Sequence, residues 1–222
     1  MHRLLRSAAL GLIALLTSLA LTLVAYGGQA YAVERTAVEG LVEAAVSDVN
    51  AFWGTEFGQR GYPYAPARLA FVYDEPVASG CGLALPQLGP GYCEIDGTIY
   101  YPVNWVDPLT GLRLEEYGDF AVAMVTAHEM AHHAQFLMDS LGIQRLDNLS
   151  LTQFELQADC FAGAWTRRAY DNGQLEPGDL EEALSALGVA GSPGHGTSQQ
   201  RSASFMLGYD TGDIAECLTM AS

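Results

Sequence analysis

The sequence contains no lysine and only five histidines, and its ten basic residues, all of them arginine, are outnumbered by 26 acidic ones. Without lysine, neither a Schiff-base nucleophile nor the lysine of a P-loop is available. The formal net charge of −16 argues against sequence-independent binding of nucleic acid, which requires a basic surface. Any chemistry must therefore come from Ser, Cys, His, Asp or Glu side chains, or from a metal ion.

The composition is that of a folded protein of moderate size. Half of the 222 residues are apolar and 16% are charged, which excludes a largely disordered chain. This length fits one domain together with its terminal segments.

The N-terminus has the features of an export signal. Two arginines precede an uncharged apolar run from about Ala8 to Ala25, and Ala30-Tyr31-Ala32 matches the small-x-small pattern of signal peptidase sites. The run is also nearly long enough to span a bilayer. We therefore expect residues 1–32 to be either a cleaved signal peptide or an uncleaved membrane anchor. In both cases residues 33–222 form an extracytoplasmic domain, either secreted or tethered by this single segment.

The four cysteines, Cys81, Cys93, Cys160 and Cys217, are an even number in an oxidising compartment and allow three pairings. We favour Cys81 with Cys93, which closes a short Gly/Pro-rich loop, and Cys160 with Cys217, which ties the C-terminal tail to a helix. The alternative is four buried free thiols. A tetrathiolate zinc site is disfavoured because the sequence has no C-x-x-C pair.

The order of the predicted elements indicates an α+β fold that is mainly helical. Apolar residues at helical spacing and capping signals predict five helices, and two short apolar runs predict strands. The expected helices cover Thr36–Phe57, Asp119–Leu141, Ser150–Tyr170 (with Ser150 and Gln153 as a capping box), Asp179–Leu187 and Thr197–Leu207, and the strands cover Arg68–Tyr73 and Thr98–Val103. Pro102 places the second strand at an edge or marks the strand's end.

The long central helix carries the motif H-E-x-x-H, formed by His128, Glu129 and His132. Four residues are slightly more than one helical turn, so both imidazoles project from one face and can bind one metal ion. Glu129 lies beside that face, where it can accept a proton from water activated by the metal. The alternative is a pair of histidines hydrogen-bonded within a core, and a third ligand is needed to decide against it.

The following helix offers that third ligand. Gln135 and Met138 occupy the positions where metzincins continue their motif, so that route is closed. Glu155 and Asp159, however, share one face of an otherwise apolar helix. Buried carboxylates are costly without a cation, although a solvated acidic face is the alternative. We expect Glu155 to complete an open site for one Zn²⁺ ion and Asp159 to orient a ligand histidine.

Three strings extend this pattern: HEMAHHAQ, ELQADCFAGAW and HGTSQQR, with GPGYC upstream. They resemble the bacterial neutral zinc metallopeptidase family over roughly Arg68 to Cys217, and that family is similar to gluzincins. The resemblance implies a zincin-like fold with a small sheet beside the active-site helix. It also implies zinc at His128, His132 and Glu155, with Glu129 as the catalytic acid and base.

The histidines and tyrosines near these motifs have less specific predicted roles. His195 opens the HGTSQQR string and either stabilises an oxyanion during catalysis or makes a structural hydrogen bond at a helix start. His133 points away from the zinc face and is expected to pack or to form a hydrogen bond. Tyr100 and Tyr101 lie on a strand that we expect to be an edge strand pairing with peptide substrate, with one tyrosine near the site.

The predicted function is that of an exported zinc metallopeptidase. It would hydrolyse peptide bonds in a peptide or protein substrate through a zinc-activated water, with Glu129 as the general base. The alternative is a non-catalytic extracytoplasmic zinc-binding module with a structural or partner-recruiting role. We expect no nucleic-acid partner, and contact with a membrane only through an uncleaved N-terminal segment.

Overall fold

The computed structural model describes residues 37–189 and 194–221. The leader predicted for residues 1–32 lies outside this part of the chain. Residues 39–222 form one compact unit, which contains all the elements that build the site. In the described ranges, no helix combines the length and the apolar character needed to cross a membrane.

This unit is α+β and mainly helical, as predicted. The first described helix, α1, spans residues 37–59. The other α-helices are α2 (Asp119–Ser140), α3 (Leu151–Asp171), α4 (Asp179–Val189), α5 (Ser198–Thr211) and α6 (Ile214–Leu218). Short 3-10 turns occur at Leu114–Tyr117, Leu146–Asn148 and Thr219–Ala221.

Both predicted strands form and pair with each other in parallel. They are β1 (Arg68–Val72) and β5 (Thr98–Pro102), and the short strand β4 (Gly91–Cys93) pairs antiparallel on the other side of β5. A separate hairpin is made of β2 (Val77–Ser79) and β3 (Gly82–Ala84). The order β1-β5-β4 makes β5 the central strand. The expectation that β5 is an edge strand was therefore wrong, and Pro102 instead ends it.

Helix α2 packs against α3, α4 and strand β4. The small sheet thus lies beside the helix that carries the H-E-x-x-H motif, as expected for a zincin-like fold. Side-chain caps fix where the next helices begin: Ser150 and Gln153 form a capping box at α3, and Thr197 and Gln200 form one at α5.

Helices α3 and α5 approach so closely that only glycine fits at their crossing. A Cβ atom at Gly163 would overlap the backbone carbonyl of Phe205, and one at Gly208 would overlap that of Cys160. The close approach positions the first turn of α5, which carries Arg201, over the middle of α3. The predicted capping box marks where α5 starts. The helix runs beyond its predicted end at Leu207 to Thr211, and Gly212 follows it in the left-handed conformation.

The structure contains two disulfides, Cys81–Cys93 and Cys160–Cys217, which is the pairing favoured from the sequence. No cysteine of the chain is free. The first bond joins the β2–β3 hairpin to strand β4. The second attaches the five-residue helix α6 to α3 and is buried at both ends.

Candidate metal centre

The imidazoles of His128 and His132 lie one helical turn apart on α2 and point to the same place. Their Nε2 atoms are 3.1 Å apart, and both side chains are buried. Helix α3 adds the Glu155 carboxylate, whose Oε2 is 3.2 Å from Nε2 of His128 and 3.4 Å from Nε2 of His132. The structure therefore brings together the three ligands expected from the sequence.

The chemistry of this set suits a metal ion. Its ligand atoms, two imidazole nitrogens and one carboxylate oxygen, lie within 4.8 Å of one another. Oε2 of Glu155 is buried and accepts no hydrogen bond from the described residues, although a buried polar atom normally has a partner. Burial alone would raise the pKa of Glu155, but the His128 and His132 rings lower it well below its usual range. A cation among these atoms would satisfy all three side chains, and the residues fit one.

Asp159 fixes the orientation of His128. Its Oδ1 lies 2.8 Å from Nδ1 of His128, and because a carboxylate can only accept, Nδ1 carries a proton and Nε2 is the nitrogen that can bind a metal. Asp159 is fully buried and accepts two hydrogen bonds from Arg201, at 2.8 Å and 2.7 Å. Burial alone would raise the pKa of Asp159, but Arg201 and His128 lower it. The carboxylate therefore stays charged in the core.

The sequence did not identify Arg201 or Gln135 as site residues. Arg201 holds Asp159, and Gln135 Oε1 lies 2.8 Å from Nδ1 of His132. Arg201 is the last residue of HGTSQQR, and Gln135 is the last residue of HEMAHHAQ, two of the strings that resemble the family. The strings therefore contain both residues, but nothing in the sequence indicates what either one contacts.

Glu129 lies next to the ligands and lines a cavity of about 490 Å³. It is buried, and burial raises the pKa of its carboxyl above the ordinary value, while the charges of His128 and His132 act in the opposite direction. The nearby backbone of Tyr92 on strand β4 also lowers the pKa of Glu129. A carboxylate with a raised pKa, beside the ligands and facing a cavity, is suited to accept and return a proton.

His195 also reaches the centre from the segment before α5. Its Nε2 is 3.2 Å from Oε2 of Glu155, and its ring stacks at 6.5 Å on that of His128. Burial lowers the pKa of His195. Its side chain is 38% exposed and also lines the cavity. The ring therefore lies between the ligands and the space open to a substrate.

Three residues considered from the sequence lie away from the centre. His133 contacts Tyr92 and the Ala65 carbonyl, which confirms that it points off the metal face. Tyr101 is buried in the core, and the Tyr100 hydroxyl donates to Asp96. Neither tyrosine lines the cavity at His128, so the expectation that one would approach the site was wrong.

The cavity beside the ligands is bounded mainly by apolar side chains. The base of α2 contributes Met124 and Val125, one turn before His128, and α4 contributes Leu187. Leu88, Trp105, Leu109, Leu114 and Tyr117 come from the segments that precede α2. Leu88 and Leu109 are among the most exposed apolar residues, so the mouth of the cavity is apolar as well.

Comparison with known proteins places these residues in a family. The model of a family described as "Putative neutral zinc metallopeptidase" matches residues 24–220. The protein of Escherichia coli strain K12 named "Uncharacterized protein YpfJ" is 39% identical over 195 residues, which cover 75% of this chain and 66% of that protein. The Mycobacterium bovis protein named "Uncharacterized protein Mb2605" is 32% identical over 214 residues, which cover 83% of this chain and 71% of that one.

The chain thus spans about two thirds of the length of these relatives. No solved structure matches it. The family match extends over most of the chain and includes the two ligand-bearing helices, the cysteines and the cavity. On this evidence, the chain belongs to the putative neutral zinc metallopeptidase family.

Proposed function

We propose that the protein is a zinc-dependent peptidase that acts outside the cytoplasm. The observation that carries the proposal is the position of Glu129, a buried carboxylate adjacent to three metal ligands and facing a cavity of about 490 Å³. A metal site with a purely structural role has four protein ligands. It has no open coordination position at which a base could act on bound water.

Zinc at His128, His132 and Glu155 would supply Lewis-acid polarisation of the scissile carbonyl and lower the pKa of a water molecule. Glu129 accepts the proton of the attacking water and delivers it to the leaving amine. His195, at the rim of the ligand set, donates a hydrogen bond to the carbonyl oxygen as negative charge develops there. Asp159 holds His128 in the tautomer that leaves Nε2 free.

The shape and lining of the cavity favour peptides with a bulky apolar side chain next to the scissile bond. Its two charged groups other than Glu129 already have partners: Arg201 binds Asp159, and Asp107 accepts hydrogen bonds from the backbone of Leu109 and Thr110. A charged substrate side chain would lose its hydration there without a compensating partner.

Two features support a location outside the cytoplasm. The two disulfides together pair all four cysteines, and disulfides persist mainly in oxidising compartments. The export signal expected for residues 1–32 agrees with this, and either fate of that segment places the catalytic domain outside.

The proposal is tested by exchanging Glu129 for glutamine in zinc-loaded protein. Glu129→Gln keeps the shape of the side chain but cannot accept a proton. We expect hydrolysis of denatured casein and of a broad peptide library to fall at least about 100-fold, with one zinc retained per chain and an unchanged melting temperature. Glu181→Gln, which alters an exposed carboxylate on α4, serves as the matched control and should keep full activity. Equal activity of Glu129→Gln and the parent would refute this mechanism, and a parent that binds zinc but cleaves nothing would favour the non-catalytic module.

A further inference from the structure

Two glutamines, Gln135 on α2 and Gln157 on α3, are completely buried behind the metal ligands. An amide removed from water costs free energy unless hydrogen bonds replace those it made with water. Both side chains find such partners, and the partners form one continuous chain that starts at a ligand histidine.

This chain of hydrogen bonds runs from His132 to helix α6. Nδ1 of His132 is 2.8 Å from Oε1 of Gln135, whose Nε2 donates to Oε1 of Gln157 at 3.0 Å and to the carbonyl of Phe154 at 2.9 Å. Nε2 of Gln157 then donates to the carbonyl oxygen of Cys217 at 3.1 Å. The line therefore ends on the backbone of α6.

The backbone carbonyls of Phe154 and Cys217 determine which atom donates and which accepts in every hydrogen bond of this series. A carbonyl oxygen only accepts, so the Gln157 amide nitrogen must face Cys217 and its oxygen must face Gln135. The same reasoning turns the Gln135 nitrogen towards Gln157 and Phe154, and its oxygen towards His132. Nδ1 of His132 must then carry the proton, which leaves Nε2 with the lone pair that faces His128 and Glu155.

The end of the chain is held in place covalently. Cys217 forms a disulfide with Cys160, which lies three residues after Gln157 on α3, so the carbonyl that Gln157 contacts is tied to the same helix. All four of these side chains, Gln135, Gln157, Cys160 and Cys217, are 0% exposed. Water therefore offers no competing partners that could reverse either amide.

We propose that Gln135 and Gln157 are positioning residues that hold His132 in the tautomer needed for metal binding, with the disulfide-bound helix α6 as their anchor. The inference rests on the proposed zinc site, but not on peptide hydrolysis. It gives His132 the support that Asp159 and Arg201 give His128. It also assigns a role to the C-terminal helix, which contributes no metal ligand.

The protein offers a control in Gln153, which lies one turn before Gln157 on α3. Gln153 also donates its amide to a carbonyl of the C-terminal segment, that of Met220, at 3.1 Å, but it has no bond to Gln135. Gln157→Met and Gln153→Met therefore both remove a bond to the C-terminal segment, and only Gln157→Met interrupts the line to His132. Gln153→Met also removes the capping box with Ser150, so it is the more disruptive change for α3 itself.

The test measures zinc affinity by competition with a chelator, for the whole chain and the variants Gln135→Met, Gln157→Met and Gln153→Met. Loss of a residue that supports a ligand typically weakens metal binding about 10- to 100-fold, and we expect this for Gln135→Met. We expect a smaller loss of about 3- to 10-fold for Gln157→Met, because Phe154 still orients Gln135. Gln153→Met should stay within about twofold. Equal affinities in Gln157→Met and Gln153→Met would overturn the proposal.

A second measurement reads the tautomer itself, in zinc-free protein. The ¹⁵N shifts of the His132 ring near pH 8 should report a single Nδ1–H tautomer in the parent and in Gln153→Met, and a mixture of tautomers in Gln157→Met. A single unchanged tautomer in Gln157→Met would also overturn the proposal. If Gln135→Met does not fold, these two variants still decide the question. Neither readout depends on hydrolysis, so a failure of the peptidase proposal would be seen separately, in Glu129→Gln and its parent.

Discussion

The hydroxyl oxygen of Tyr92 lies 3.0 Å from Nδ1 of His133, and this contact joins strand β4 to helix α2. Nε2 of His133 is 2.7 Å from the carbonyl of Ala65, which can only accept, so Nδ1 is the acceptor for Tyr92. Burial raises the pKa of Tyr92 to about 12, and the hydroxyl keeps its proton to donate. The backbone of the same residue lowers the pKa of Glu129. His133 therefore fixes strand β4 against helix α2, although its ring points away from the candidate metal ligands.

The first prediction concerns this contact. Tyr92→Phe removes the hydroxyl and leaves the buried Nδ1 of His133 without its donor, which should lower the free energy of unfolding by about 1–3 kcal/mol. Urea denaturation measures the change. Tyr73→Phe removes a hydroxyl that binds Glu39 at the surface and should change stability by less than about 0.5 kcal/mol. Similar losses in the two variants would contradict the role given to His133.

The second prediction concerns the pair formed by Arg201 and Asp159. Arg201→Met would remove the guanidinium that donates two hydrogen bonds to the fully buried Asp159 carboxylate, and the expected loss of stability is about 3–5 kcal/mol. Arg167→Met serves as the control, because Arg167 pairs with Asp171 at the surface, where both side chains are at least 40% exposed. That change should cost no more than about 1 kcal/mol. If thermal or urea unfolding gave equal losses, the buried pair would not be the structural support inferred for His128.

The third prediction separates two roles for His195. As a donor to the developing oxyanion, His195 affects turnover and not metal affinity, so His195→Ala should lower kcat about 100- to 1,000-fold and leave the zinc affinity within about threefold. His195→Gln keeps a donor and should recover part of the lost rate. A loss of zinc affinity of tenfold or more in both variants would instead make His195 a ligand, in keeping with the 3.2 Å between its Nε2 and Glu155.

Local patterns predicted the three side chains that cluster in the candidate metal centre. His128 and His132 share a helix, and the helical period alone places their rings together. Glu155 and Asp159 are one turn apart, and the capping box at Ser150 and Gln153 fixed where their helix begins. In each case the signal lies within a few residues, so one sequence was enough to identify it.

Contacts between distant segments could not be predicted in this way. Arg201 is 42 residues from Asp159, and Gln135 is 22 residues from Gln157. The three-residue strand β4 and the five-residue helix α6 are too short to show a period. Without β4, strand β5 looked like an edge, because nothing within its own sequence shows which partners flank it.

The last prediction concerns the proton that zinc displaces. In the zinc-free protein, burial lowers the pKa of His128, but the charge and hydrogen bond of Asp159 outweigh it and raise the pKa from the ordinary 6.5 to about 10. The stability that protonated His128 gives the zinc-free fold is therefore complete below about pH 6.5 and is lost as the pH rises through about 10.

Because a metal binds neutral imidazole, zinc should release about one proton per chain near pH 7.5, and the zinc affinity should rise about tenfold per pH unit up to about 10. Calorimetric titration in buffers of different ionisation enthalpy measures that proton. Asp159→Asn removes the charge that raises the pKa, so less proton release is expected, and an undiminished release in this variant would mean that another group loses the proton.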